Sequence, residues 1–356
     1  MTPQADFPIF DGHNDVLHKI HDHPELDAAS FFGDREKGHL DYPRALTGNF
    51  RGGLFAVYAP NPADVPPAKK RLVTSRNGYQ VKIAPPLPFN YARETARAMI
   101  DLLHEMQAHA GGKFRIVTTS QELQECFQAG TMTAVLHMEG AEAISPALDE
   151  LDEYYQRGLR SLGITWSREN AFGYGVPFKI PSSPDIGPGL KEPGKRLIKA
   201  CNQLGIMIDL AHLNEQGFWD TAELSAAPLV SSHSAAHALI PRSRNLTDDQ
   251  LRAIADSGGL VGVTFSVNDL DGGRRPKKDA PLSALVHHIR YISELIGVDH
   301  VGFGSDLDGT VIPSKVGNVT GFPKIIQALR EEGFSPPELQ KICHANWLRV
   351  LKATWH

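Results

Sequence analysis

The chain has 356 residues, 41% of them hydrophobic, and a formal net charge of −5 from 36 basic and 41 acidic side chains. That length suits a single barrel domain with insertions, and the apolar content can bury a sizeable core. The nearly balanced charge excludes a general affinity for polyanions, so no nucleic-acid partner is expected.

The opening segment, MTPQADFPIFDGHND, carries no basic leader and no apolar leader, and it runs straight into a strand at about 8–15. No stretch approaches the roughly 18 apolar residues of a spanning helix, so the expected protein is cytoplasmic and has no membrane partner. A second apolar run covers 51–59, followed by a Pro-rich insertion over 60–90 with Lys69, Lys70 and Arg71. Residues 91–110 place Ala96, Met99, Ile100, Leu103 and Met106 on one helical face. FRIVTTS (114–120) is strand-like; it is placed outside the barrel, leading into a helix over 120–129. Apolar runs follow at 133–139 and 159–166, then a Gly- and Pro-rich insertion at 167–193 and a helix over 194–205 that ends on Gly205. Further strands are predicted at 205–212, 228–233, 259–266 and 300–306. Between them lie a helix over 247–258, opened by Thr247 and closed by Gly258, a charged insertion over 268–281, and a helix over 281–296. A last helix spans 336–352.

Eight nearly continuous apolar runs are what parallel strands covered on both faces require. Their alternation with helices predicts an α/β fold, a TIM-like (β/α)8 barrel in which residues 1–356 form one domain. Each of the three insertions follows a strand, so all three should emerge over the C-terminal face, where long loops serve as lids or binding loops. Cys126, Cys201 and Cys343 are odd in number, widely spaced and helical, which suits reduced thiols.

Metal-ligand residue types close several of these strands. His13 and Asp15 have i,i+2 spacing in FDGHND, Glu139 ends TAVLHMEG, His212 ends GIMIDLAH, His233 ends PLVSSHS and Asp306 ends HVGFGSD. Residues at the C-terminal ends of different barrel strands meet in one pocket. Imidazoles and carboxylates crowded inside a barrel need a compensating cation, and this mixture suits zinc. Five ligands are generous for one tetrahedral ion. With Glu139 shared, they divide into His13, Asp15 and Glu139 on one ion and Glu139, His212 and His233 on the other. Two divalent ions roughly 3.5–4 Å apart can hold a bridging hydroxide. His18, His21, His23, His287 and His288 are read as surface or outlying residues.

The set FDGHND, HMEG, DLAH, SSHS, RSRN and HVGFGSDLDG, with HANWLRVL near the end, resembles the renal (membrane) dipeptidase family of the amidohydrolase superfamily over about residues 9–351. The resemblance implies a distorted barrel with two zinc ions on the five ligands above. It gives Asp306 the proton-handling role and Arg244 the grip on the substrate carboxylate. It also implies dipeptide hydrolysis with tolerance of a C-terminal D-residue, and a homodimer. General chemistry agrees with these roles, since a carboxylate can shuttle a proton and a guanidinium binds a carboxylate bidentately.

One departure bears on the substrate. Strand four in that family commonly ends in a Thr-His pair whose imidazole contacts the substrate carbonyl. Here LRSLGITWSRENAFG puts Trp166 at that place, and an indole has one N–H donor and no acid–base function. Either the metals alone polarise the carbonyl, or a neighbour such as Arg168 or Asn170 helps. The family's tyrosine after strand seven also has no counterpart in TFSVNDL. The alternative substrate is therefore an N-acyl amino acid or another carboxylate-bearing amide, selected by Lys69, Lys70, Arg71, Arg274, Arg275, Lys277 and Lys278 on the mouth loops. The other reading of those charges is a solvated rim.

Overall fold

The computed structural model describes residues 7–35 and 37–355, so residues 1–6 of the segment expected to lack a leader lie outside it. Eight parallel strands close on themselves: β1 (Ile9–Asn14), β2 (Phe50–Tyr58), β3 (Met132–Glu139), β4 (Leu159–Gly163), β5 (Met207–Asp209), β6 (Val230–Ser234), β7 (Leu260–Val263) and β8 (Val301–Phe303). Each pairs with the next, and β8 returns to β1 through Phe303 and Asp11. The fold is thus an α/β barrel of the TIM type, as the alternating pattern predicts.

Several strands end earlier than the apolar runs suggest. β4, β5 and β8 stop three residues before Trp166, His212 and Asp306. His212 and Asp306 have φ of +66° and +58°. A left-handed residue cannot continue a ladder, so these side chains sit on the first turn past the strand rather than on it. The 114–120 run forms only Phe114–Ile116, which pairs with Met132–Ala134 of β3 below the point where β4 begins to pair at Leu136. It therefore lies outside the barrel, as expected, and leads into the helix Ser120–Ala129.

The helical signals were read where they are. Ala96, Met99, Ile100, Leu103 and Met106 are buried on the helix Phe89–His109. Thr247 caps Asp248–Asp256 through a reciprocal bond with Gln250, and Gly205 closes Glu192–Leu204 in the left-handed conformation. The last helix is broken: Pro336–Gln340 passes through a π-helical turn, Lys341–Ala345, into Asn346–Thr354. That final segment plugs the barrel. Phe10, Leu54, Val135, Met207, Val230 and Leu260, from the N-terminal parts of six strands, pack with Trp347, Val350 and Leu351. The opposite, C-terminal end is left to carry the site.

Two of the insertions are more than loops. In the first, Leu72–Thr74 pairs with Tyr79–Val81, which pairs in turn with Phe178–Ile180 from the second, in an antiparallel sheet that covers one side of the mouth. Such pairing is non-local, so neither insertion announces it alone. His288, expected at the surface, is buried: the Ala236 N–H donates to its Nδ1 at 3.0 Å, and its Nε2 lies 3.1 Å from the Leu270 carbonyl. It shares the buried face of its helix with Leu285, Ile289 and Ile292. The three cysteines are unpaired. Among the described residues no helix is long and apolar enough to cross a membrane.

Candidate active site

At the C-terminal mouth the barrel brings six widely separated residues together. His13 comes from β1, and Asp15 stands at the N-terminal boundary of the helix Val16–His21 that follows, with no capping bond from its side chain. Glu139 ends β3, His233 lies in β6, and His212 and Asp306 lie on the turns after β5 and β8. Glu139 Oε1 is 3.0 Å from His212 Nε2, 3.5 Å from His233 Nε2 and 3.8 Å from His13 Nε2. His13 Nε2 is 3.3 Å from Asp15 Oδ2. Two overlapping groups have metal-site spacing, His13 with Glu139 and His233, and His13 with Asp15 and Asp306.

Whether these atoms suit a cation follows from their hydrogen bonds. Asp209 accepts from the Ser232 N–H at 2.7 Å and the Ser232 hydroxyl at 2.6 Å. The Ser232 oxygen, 2.8 Å from His233 Nδ1, is then left to accept, which puts the imidazole hydrogen on Nδ1 and leaves Nε2 bare. The Ser167 hydroxyl, 2.7 Å from His212 Nδ1, can fix that ring the same way. The two Nε2 atoms face each other at 3.0 Å, with a carboxylate oxygen beside both. Three electron-rich atoms so close together need positive charge between them. Both ring nitrogens of His13 are buried without a hydrogen-bond partner. Buried ring nitrogens without hydrogen-bond partners are free to donate their lone pair to a cation, so the donor set fits metal ions.

The charges lead to the same conclusion. Burial pushes Glu139 up to about 8, with Asp15 adding to the shift and His13 opposing it. Burial and then Asp15 raise Asp306 well above the usual carboxylate range. Burial disfavours charge on His13, yet Glu139 and Asp15 together raise it to about 10. His212 and His233 are pushed down, by burial first. Without metal, protons on His13 and Glu139 hold the cluster together. Each has a folded pKa above its unfolded value, so its contribution is complete below the unfolded value and is lost as pH rises through the folded one. Metal-free protein is therefore expected to lose stability between about pH 7 and about pH 10 more steeply than metal-loaded protein. Melting temperatures of both forms across that range would show it; parallel curves would refute it.

Around the cluster lies a cavity of about 380 Å³, at the small end of ligand pockets. Arg244 lines it and is buried, with Nη2 donating to the His233 carbonyl at 3.2 Å and Nε lacking a partner. Trp166 also lines it, its ring centroid 5.2 Å from Tyr58, 5.6 Å from Phe178 and 5.7 Å from His212. Asn170 does not. Its amide bonds the Ile164 carbonyl and the N–H groups of Phe172 and Gly173, so it braces its own loop. Nor do the basic residues of the mouth insertions line it; Lys277, for example, pairs with Asp271 at 2.7 Å.

Sequence reasoning passed over several wall residues. His18, read as peripheral, lines the cavity and meets Tyr58 edge-on at 5.4 Å. Arg242 pairs with Asp269 at 2.7 Å and reaches the Tyr79 hydroxyl on the cover sheet. Asp308 also lines the cavity and accepts from the His39 N–H at 2.6 Å. His137, two residues before Glu139 on the same strand, bonds Ser161 at 2.8 Å beneath the site. That last placement was readable from HMEG; the others depend on distant partners.

Comparison with known proteins agrees with the geometry. The model of the membrane dipeptidase family, peptidase family M19, matches residues 3–355. A solved metallopeptidase named dipeptidase AC is 42% identical, covers 98% of this chain and 99% of its own, and superposes with a TM-score of 0.93. A metallopeptidase from Rhodobacter sphaeroides, solved with a phosphinate mimic of the dipeptide L-Ala-D-Ala, is 41% identical with a TM-score of 0.92, covering 98% of this chain and 99% of its own. A Klebsiella pneumoniae protein described only by its place in the pqqA 5′ region is 44% identical over 254 residues, 71% of this chain and 94% of its own length. The chain belongs to the membrane dipeptidase family, peptidase family M19, and is an enzyme of the metallo-dipeptidase class.

Proposed function

We propose that the whole chain acts as one catalytic domain, a binuclear zinc dipeptidase that accepts a D-residue at the C-terminal position. The observation that carries this reading is the convergence of His212 Nε2, His233 Nε2 and Glu139 Oε1 within 3.5 Å of one another. His13, Asp15 and Glu139 would hold one ion, and Glu139, His212 and His233 the other. When bound, such ions supply Lewis acidity and a water that is nucleophilic at neutral pH. The Rhodobacter protein's ligand, a mimic of L-Ala-D-Ala, supports the stereochemical part.

The protein groups divide the remaining work. Arg244 grips the C-terminal carboxylate with its free Nε and guanidinium edge. Asp306 takes the proton of the attacking water and returns it to the leaving amine. Trp166 forms part of an aromatic wall and excludes water. A cavity of about 380 Å³ is of a size to take a substrate of two residues.

The test is turnover of L-Xaa-L-Xaa and L-Xaa-D-Xaa dipeptide libraries by metal-loaded protein. No turnover across both libraries would reject the reading, and faster turnover of N-acyl amino acids would redirect it. Arg244→Met is expected to raise KM for free dipeptides by about 10–100-fold, the worth of a charge-assisted hydrogen bond, and to leave peptide amides unaffected. Equal effects on acids and amides would remove Arg244 from that role.

A further inference from the structure

The metal cluster does not account for Tyr58. This residue closes β2 and pairs in register with Glu139 at the end of β3. Paired residues on adjacent parallel strands project to the same face, so the phenol stands beside the carboxylate at the mouth. Trp166, from beyond β4, stands on the other side of β3, and the two rings approach to 5.2 Å. Arg168 lies against both rings, fully buried, its guanidinium 4.6 Å from the Trp166 ring and 5.6 Å from the Tyr58 ring. Its Nη1 donates to the Ala59 carbonyl at 3.1 Å and its Nη2 to the Tyr58 hydroxyl oxygen at 3.0 Å.

The direction of that last bond decides the chemistry. A guanidinium can only donate, so the Tyr58 oxygen accepts and its own hydrogen must point elsewhere. Among the described residues it donates to no protein acceptor, and Tyr58 lines the cavity. Burying an arginine is costly, and the nearest carboxylate, Glu142, stays 4.0 Å from its Nε. Beside the Ala59 carbonyl and the distant Glu142 carboxylate, the buried guanidinium therefore fixes the Tyr58 phenol.

We propose that Tyr58 donates its hydroxyl hydrogen to the oxygen of the scissile carbonyl, and that Arg168 positions it. This rests on the dipeptidase reading. Tyr58 follows the second strand and Arg244 the sixth, on opposite sides of an eight-strand barrel. A dipeptide held by its carboxylate on Arg244 therefore extends toward Tyr58 and Trp166, with its amide between them over Glu139. Negative charge gathers on the carbonyl oxygen as water adds, and a donor fixed beforehand stabilises that charge. The hydroxyl keeps its proton throughout, and the bond relaxes as the amine departs. Trp166, with a single N–H, can then serve as a wall.

Tyr58→Phe keeps the ring and deletes the donor. In the full metal-loaded chain, kcat is expected to fall about 10²–10³-fold with KM within about threefold of wild type. Affinity for a phosphinate dipeptide mimic, read by calorimetry, should fall by a similar factor, because the phosphinate oxygen occupies the place of the charged carbonyl oxygen. Arg168→Met should lower kcat in the same direction, Arg168→Lys should restore part of it, and the double variant with Tyr58→Phe should be no slower than Tyr58→Phe alone. A merely structural Arg168 would instead give additive losses. Wild-type turnover with an unaffected Tyr58→Phe would overturn this assignment alone. A wild type that neither cleaves dipeptides nor binds the phosphinate would overturn it together with the dipeptidase reading.

Discussion

Glu139→Gln is expected to abolish metal binding at both proposed sites and activity together. The Glu139 carboxylate is the one group shared by the two proposed sites, with a single oxygen facing three imidazoles at 3.0, 3.5 and 3.8 Å. An amide removes the negative charge, and its N–H donors occupy the bare imidazole lone pairs that a metal ion would use. Substitutions in outlying partners of a metal site already cost about 10–100-fold in affinity, and loss of a shared ligand should exceed that at both ions. Metal content after gel filtration and dipeptide turnover are the readouts. Retention of two equivalents of zinc with activity near wild type would end the binuclear account.

Asp306→Asn should separate chemistry from metal binding. Asp306 holds a left-handed backbone, φ +58°, with its N–H donating to the His13 carbonyl at 3.0 Å. Asparagine tolerates that conformation better than other non-glycine residues, so the turn should survive. What disappears is a carboxyl whose proton affinity is raised by burial and by Asp15, as suits a group that must both take and return a proton. We expect kcat to fall about 10²–10⁴-fold with metal content and product affinity maintained. Loss of metal along with rate would make Asp306 a ligand, which its spacing with His13 and Asp15 also allows.

Much of this site is legible in the primary structure because each contributor announces itself locally. A strand-end histidine or acid follows its own apolar run, and parallel strands all deliver their C-terminal ends to one mouth. The helix signals were local for the same reason: Thr247 needs only Gln250, and Gly205 needs only its own missing Cβ. Asn170 and His18 exchanged their expected places for opposite reasons: the loop of Asn170 turns its amide inward on itself, whereas the direction of His18 depends on a partner 40 positions away. Asn170 turned to the Ile164 carbonyl, while His18 met Tyr58 across the mouth.

The residue types, their order and their attachment to strand ends determined the barrel, the meeting of candidate metal ligands at its mouth and the class of chemistry. Tertiary structure alone decided which nitrogen of His233 stays bare, where the Tyr58 hydrogen points and what roofs the mouth. Each of these depends on a partner distant in the chain: Asp209 acting through Ser232, Arg168 at 110 positions from Tyr58, Phe178–Ile180 beside Tyr79–Val81. A hydrogen bond has a direction as well as a pair of ends, and that direction exists only once the fold has brought the ends together.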